Sequence, residues 1–164
     1  MRRVFILLGL IVTFGFTNST NSDEHVKWQT WNDGFPSATA TGKIALIDTY
    51  TDWCGWCKKM DKTTYADSAI LAKIEANFIP IKFNPELAGL YNVGDTTISG
   101  RELLGALSKG KSTGYPTTYF YVPVQNVMYQ FPGYMDAAGF AKVLDEMIAA
   151  NNLVTRPESA GQAN

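Results

Sequence analysis

The sequence predicts an α/β domain: a central mixed β-sheet flanked by helices on both faces. Three observations predict it. A continuous apolar, β-branched-rich run from Ile44 to Tyr50 suits a strand buried on both faces. Two more strand-like runs, Thr117 to Val122 and Val127 to Phe131, are separated only by Pro123-Val124-Gln125-Asn126, short enough for an antiparallel hairpin. Around them lie segments whose apolar residues recur at helical spacing, so strands and helices alternate before the hairpin. A length of 164 residues suits one such domain, and 46% hydrophobic against 18% charged residues supplies its core.

The first element is one expected to leave. Met1-Arg2-Arg3 precedes an apolar run from Val4 to Phe16 and a polar, small-residue exit from Thr17 to Ser22. This is the pattern of a secretory signal over residues 1–19, cut near Ser19. The run falls short of the about 20 apolar residues that span a bilayer, so no permanent membrane span is expected after cleavage. Cleavage removes Arg2 and Arg3 and no acid, leaving 12 basic against 15 acidic residues in the exported chain. A periplasmic or secreted location follows, where disulfides are chemically allowed.

The domain proper is expected over residues 20–153. Trp28 to Trp31 is read as a short first strand, and Thr41-Gly42-Lys43 as the turn into the Ile44–Tyr50 strand. Asp67 can cap a helix carrying Ile70, Leu71, Ile74 and Phe78. Phe78 to Phe83 is a second strand candidate, which Pro80 weakens unless its missing N–H falls at an edge or at the strand's start. Asn84 to Ile98, with Pro85, Gly89 and Gly94, reads as a long loop. Ser99 and Glu102 form a capping-box pair ahead of Leu103, Leu104 and Leu107, and Gly110 closes that helix. After the hairpin, Asp136 precedes the stripe Phe140, Val143, Leu144, Met147 and Ile148. Residues 154–164 are polar and small, as in a flexible tail.

Composition removes several functions. A net charge of -1 with no Lys/Arg cluster argues against nucleic acid, whose binding depends on neutralising phosphates. Two cysteines and one histidine cannot fill a four-ligand zinc site, and no other metal or cofactor site is expected. Met60, Met128 and Met147 occupy core-like positions.

Both cysteines fall in Cys54-Gly55-Trp56-Cys57, directly after the buried strand and leading into Lys58-Lys59-Met60, a plausible helix. That places Cys54 at a helix N-terminus and Cys57 one turn inside. Free N–H groups and the helix dipole stabilise a thiolate at Cys54, making it the nucleophile. Cys57 can then attack the mixed disulfide and release product. An inert staple is the plainer alternative, yet so short a loop constrains the unfolded chain little. A thiolate metal pair would need ligands beyond these two. A Cys–His hydrolase would need His25 beside Cys54 and leaves Cys57 without a role.

Together these residues resemble the thioredoxin family. Leu46 to Lys58 looks like its strand-plus-active-site block with Trp53 ahead of the first cysteine, Gly114-Tyr115-Pro116-Thr117 like its cis-proline loop, and Phe131-Pro132-Gly133-Tyr134 like its glycine before the last helix. The likeness covers about residues 28–152. With Thr64-Tyr65-Ala66-Asp67 included, it is similar to exported thioredoxin-like proteins akin to the C-terminal domain of the transmembrane thiol:disulfide interchange reductase.

The resemblance implies a thioredoxin fold and a redox-active thiol centre. It assigns Asp48 to the buried aspartate that exchanges a proton with Cys57, and burial of an acid in that strand would raise its pKa. It assigns Lys82 as the partner of Asp48, the alternative for either being an ordinary strand-edge charge. It makes Pro116 cis and gives Trp53, Gly55, Trp56, Tyr115 and Pro116 the substrate-binding surface. The chain departs from the family where Trp56 replaces a proline and where Lys62 stands at the helix proline. The dipeptide also lacks the histidine of strongly oxidising relatives, which leans the expectation toward a reductase. Implied partners are disulfide-containing proteins and a membrane electron donor, with the protein itself a monomer. The competing expectations are a non-catalytic binding module of the same fold and an oxidase or isomerase of protein disulfides.

Overall fold

All six residues of β1 (Ile44–Thr49) are buried, as expected of a strand covered on both sides. The computed structural model describes residues 25–111 and 114–153. The expected signal segment, 1–19, and the tail, 154–164, lie outside the described residues. Beside β1 runs β2 (Phe78–Phe83), in parallel, and on its other side β5 (Thr117–Val122), antiparallel. β5 turns through Pro123–Gln125 and Asn126, at φ 52°, into β6 (Val127–Pro132). The order β2-β1-β5-β6 makes the mixed central sheet that the sequence predicts.

Strand alternation divides the core in two. Ile44 and Leu46 of β1 and Phe120 and Val122 of β5 face one side. There they pack on Met60 of α2 (Gly55–Lys62), Ile70 and Ile74 of α3 (Ser68–Asn77), and Phe140, Leu144 and Met147 of α5 (Ala137–Leu153). Ala45, Ile47, Tyr119, Ile81 and Phe83 face the other side, against Trp31 and Ala38 of α1 (Trp31–Thr41) and Leu103 and Leu107 of α4 (Gly100–Leu107). Caps fix where these helices begin. Asp67 accepts from Ala69 N and Ile70 N, and Ser99 and Glu102 form the expected capping box. Pro80 lies in the outer strand. Its carbonyl accepts from Gln29 N and Lys82 N donates to Gln29 O, so the missing N–H of Pro80 falls on the sheet's outer edge.

Two expectations require correction. Trp28 to Trp31 is not a strand: only Gln29 forms an isolated parallel bridge to Ile81, and Trp31 opens α1. Thr30 caps that helix by accepting from Asp33 N, while burial of Trp31, Gly34 and Ala38 holds it on the sheet despite Pro36 within it. Residues 84–98 are not one long loop either. They carry a hairpin of β3 (Leu90–Val93) and β4 (Thr96–Ser99) around Gly94 at φ +58°, a value a side chain seldom tolerates. The hairpin is docked rather than free. Trp31 Nε1 donates to Asn92 O at 2.8 Å, Asn32 Nδ2 donates to Leu90 O, and the Tyr91 ring meets Phe83 edge-on.

The return from the hairpin requires a glycine. A Cβ on Gly100 would lie 2.7 Å from Pro85 O and 3.0 Å from Pro85 Cα, so the first turn of α4 seats directly on the backbone that leaves β2. Gly100→Ala is therefore expected to cost about 1–3 kcal/mol, as overpacking against backbone does. Urea denaturation checks this, through a lower midpoint at unchanged slope.

Candidate active site

Cys54 is the N-cap of α2, at φ −75° and ψ 101°, and its Sγ accepts from Cys57 N at 3.1 Å. The chain reaches this position because β1 ends at Thr49 and the backbone folds back, with Cys54 N donating to Thr51 O and Lys58 N to Cys54 O. Cys54 and Cys57 are joined in a disulfide, with Cα atoms 5.3 Å apart. Both are buried, whereas the two residues that flank Cys54 and Cys57 on their N-terminal sides are not: Trp53 is 68% and Trp56 57% exposed. A sulfur at a helix N-cap can carry negative charge at modest cost, because first-turn N–H groups point at it.

Sheet register builds the second part. Asp48 of β1 stands opposite Lys82 of β2 and Thr118 of β5. Its carboxylate is buried and on the same face as Ile44 and Leu46, the face that α2 covers. Lys82 Nζ bonds Asp48 Oδ2 and, on its other side, Asp61 Oδ1 of α2. The ammonium also lies over the rings of Trp28, Tyr50 and Tyr65, 4.7 to 5.4 Å from their centroids. Asp48 Oδ1 and the hydroxyls of Tyr65 and Thr118 are buried without an ordinary hydrogen bond, although the Tyr65 hydroxyl lies close enough to favour charge on Asp48.

Burial pushes the Asp48 carboxyl above the usual carboxylate value, and the neighbouring Lys82 only partly offsets it. Burial acts on Lys82 in the opposite sense, but Asp48 and Asp61 outweigh it and hold the ammonium above its ordinary value. Tyr65 is raised well above its usual value by burial and then by the Asp48 charge. A carboxyl with weakened acidity, beneath a helix whose inward face holds Cys57 and Met60, can accept a thiol proton and later return it.

The third part is the rim. The Tyr115–Pro116 peptide is cis, and Pro116 O accepts from Gly133 N at 2.8 Å, tying the start of β5 to the end of β6. Tyr115 meets Trp53 edge-on at 5.8 Å, while Trp56 packs on Tyr134 at 5.3 Å. Thus Cys54, Cys57, Trp53, Gly55, Trp56, Tyr115 and Pro116 converge at one end of the sheet, with Asp48 and Lys82 beneath.

Sequence reasoning missed three residues here. Asp61 follows Cys57 by four, one helical turn, and that spacing alone could have marked it. Glu86 accepts from Trp53 Nε1 at 3.0 Å across 33 positions, a contact without local signal. Tyr134 was visible only as a neighbour of Gly133. Among the described residues no three His, Cys, Asp or Glu side chains converge as metal ligands, and no helix is long and apolar enough to cross a membrane.

Comparison with known proteins bears on this arrangement. The family Thioredox_DsbH, described as a protein of unknown function, DUF255, matches residues 18–155. A curated relative, the thiol:disulfide interchange protein DsbD of Yersinia pestis, is 30% identical over 109 residues, which is 65% of this chain and 16% of that protein. Protein disulfide-isomerase 5-2 of Arabidopsis thaliana is 29% identical over 93 residues, 52% of this chain and 21% of that one. The chain thus spans a small fraction of the curated relatives it matches. Among solved structures, a thioredoxin from Thermus thermophilus superposes with a TM-score of 0.62 at 18% identity, over 83% of this chain and 97% of that one. A structure titled DsbH Oxidoreductase superposes with a TM-score of 0.56 at 15% identity, over 76% and 85%. These likenesses establish the thioredoxin fold.

Proposed function

The chain belongs to the thioredoxin-like family Thioredox_DsbH, and from that premise we propose that it is an exported thiol:disulfide oxidoreductase that reduces protein disulfides. The observation that carries the proposal is the cysteine pair at the N-terminus of α2, a helix linked through Asp61 and Lys82 to the buried Asp48, with Trp53 before the pair meeting Tyr115 of the cis Tyr115–Pro116 peptide.

In the dithiol state, the Cys54 thiolate attacks one sulfur of a substrate disulfide. A Cys54–substrate disulfide forms and the other substrate sulfur leaves as a thiolate, which takes up a proton. Cys57 then passes its proton to Asp48 and attacks Cys54 Sγ. The Cys54–Cys57 disulfide forms, and the second substrate sulfur leaves as a thiolate that is protonated in turn. Two electrons have moved from protein to substrate. A thiol donor must return them, and the likeness to DsbD supports a membrane-borne one. Pro116 keeps a backbone edge at Tyr115 open beside Cys54, where an extended substrate segment can pair. Cleavage of residues 1–19 delivers residues 20–153 as the working domain.

Direction is a matter of potential. Equilibration with glutathione redox buffers is expected to place the Cys54–Cys57 couple toward the thioredoxin end of the scale, about −270 mV, and a value near about −120 mV would reverse the proposed direction.

A further inference from the structure

The two tryptophans beside the dithiol do not sit in equivalent surroundings. Trp53 donates to the Glu86 carboxylate and meets Tyr115, and the Tyr115 hydroxyl is raised by burial and then by the Glu86 charge. Exposed Asp52 lies next in sequence to Trp53 and close to Asn84, which in turn accepts from Glu86 N. Trp56 packs instead on Tyr134, and Lys59 Nζ lies over both rings, at 4.7 and 4.8 Å. Each cluster is an exposed aromatic face tied to a charge, and the charges are opposite.

The sheet order keeps them apart. Glu86 follows β2 at one edge of the sheet, Tyr134 follows β6 at the other, and the Cys54 turn follows β1 between them. The hairpin β3–β4 and the seat of Gly100 on Pro85 hold the Glu86 side in place. A polypeptide crossing from one edge to the other over Cys54 therefore passes an acidic, aromatic shoulder and then a basic one.

We propose that Glu86 with Trp53 and Lys59 with Trp56 form a charge-polar substrate groove. It selects polypeptide segments whose disulfide is flanked by basic residues on one side and acidic residues on the other, in one orientation. The inference rests on the reductase reading above. Each pair would be solvent-exposed and individually weak, so the groove works by preference between orientations rather than by tight binding.

Two peptides of identical composition test it. Each closes the same internal disulfide loop; one carries three lysines before the loop and three glutamates after it, the other the reverse. Both are reduced by the protein with dithiothreitol as the electron source, and kcat/KM is read at low ionic strength. One order is expected to be favoured about fivefold, the scale of two exposed ion pairs, and the ratio should fall toward one at high salt. In Glu86→Gln/Lys59→Gln, which retains an acceptor for Trp53, the ratio should collapse to one. In Glu86→Lys/Lys59→Glu it should invert. Reduction of both peptides at equal rates by the unaltered protein overturns the groove alone, as does a preference that survives the charge swap. Failure to reduce either peptide overturns the reductase reading and the groove with it.

Discussion

Cys57→Ser is expected to accumulate proteins joined covalently to Cys54, whereas Cys54→Ser accumulates none. The difference follows from position. Cys54 caps α2 beside the exposed Trp53 and its sulfur accepts from Cys57 N, so in the proposed reaction it is the sulfur that attacks the substrate. Cys57 is equally buried but lies inside the first turn, and in the proposed reaction it breaks the bond that Cys54 has made. Without the inner thiol the reaction halts at the mixed disulfide, which is stable to non-reducing electrophoresis and released by dithiothreitol. Without the outer thiol the bond-forming atom is gone, and insulin reduction falls by on the order of 10⁴-fold or more, the scale on which removing a nucleophile acts. A Cys57→Ser protein that traps nothing in the exported compartment contradicts the reductase proposal. The same result with intact folding would favour a clasp that merely presents the cis-proline groove.

Much of this was readable in the residues, and the exceptions share a cause. β1, β2, the β5–β6 hairpin and the Asp67 and Ser99 caps announce themselves through local patterns, and the C-x-x-C at a strand-to-helix junction marks the site. α1 does not, because Gly34, Pro36, Ser37, Thr39 and Thr41 are poor helix formers. It is helical because Trp31 and Ala38 are buried against the sheet and Thr30 caps it, and that burial is tertiary. The β3–β4 hairpin was hidden behind exposed residues with no apolar alternation, and its anchors, Trp31 to Asn92 and Asn32 to Leu90, lie about 60 positions away in sequence. Lys82 and Asp48 were readable only through the family resemblance, yet the parallel register that sets them side by side needs nothing more than two strands starting at Ile44 and Phe78. What local pattern did not show was the partner of each outlying acid, although Asp61 stands one helical turn after Cys57. Asp61 and Glu86 take their meaning from Lys82 and Trp53, which the fold brings to them.

Asp48→Asn is expected to make the protein more stable at neutral pH and less able to resolve mixed disulfides, two changes that a purely structural residue would not produce together. Burial raises the Asp48 carboxyl above its unfolded value, with Lys82 offsetting only part of the effect. A raised folded-state pKa means that the protonated form gains on folding. The stabilising contribution is therefore complete below the unfolded value, about 3.9, and is lost as pH rises through the folded value. At pH 7 the carboxylate is a cost that the neutral amide removes, while Lys82 keeps Asp61 as its counter-ion. Tm should rise by roughly 2–4 °C for each kcal/mol recovered, and the advantage should vanish in strongly acidic buffer. Resolution moves the other way. Cys57 loses its proton acceptor, so stopped-flow decay of the mixed disulfide should slow by roughly 10²-fold at pH 7 and recover as pH approaches the ordinary thiol value of about 8.5. Asp61→Asn supplies the matching control. It removes a negative charge that raises Asp48 and leaves Lys82 to Asp48 alone, so both effects lower the Asp48 pKa and the acid limb of resolution should move to lower pH. An Asp48→Asn protein that resolves normally across the pH range shows that Cys57 surrenders its proton elsewhere, and the buried Asp48–Lys82–Asp61 chain is then left with a structural role alone.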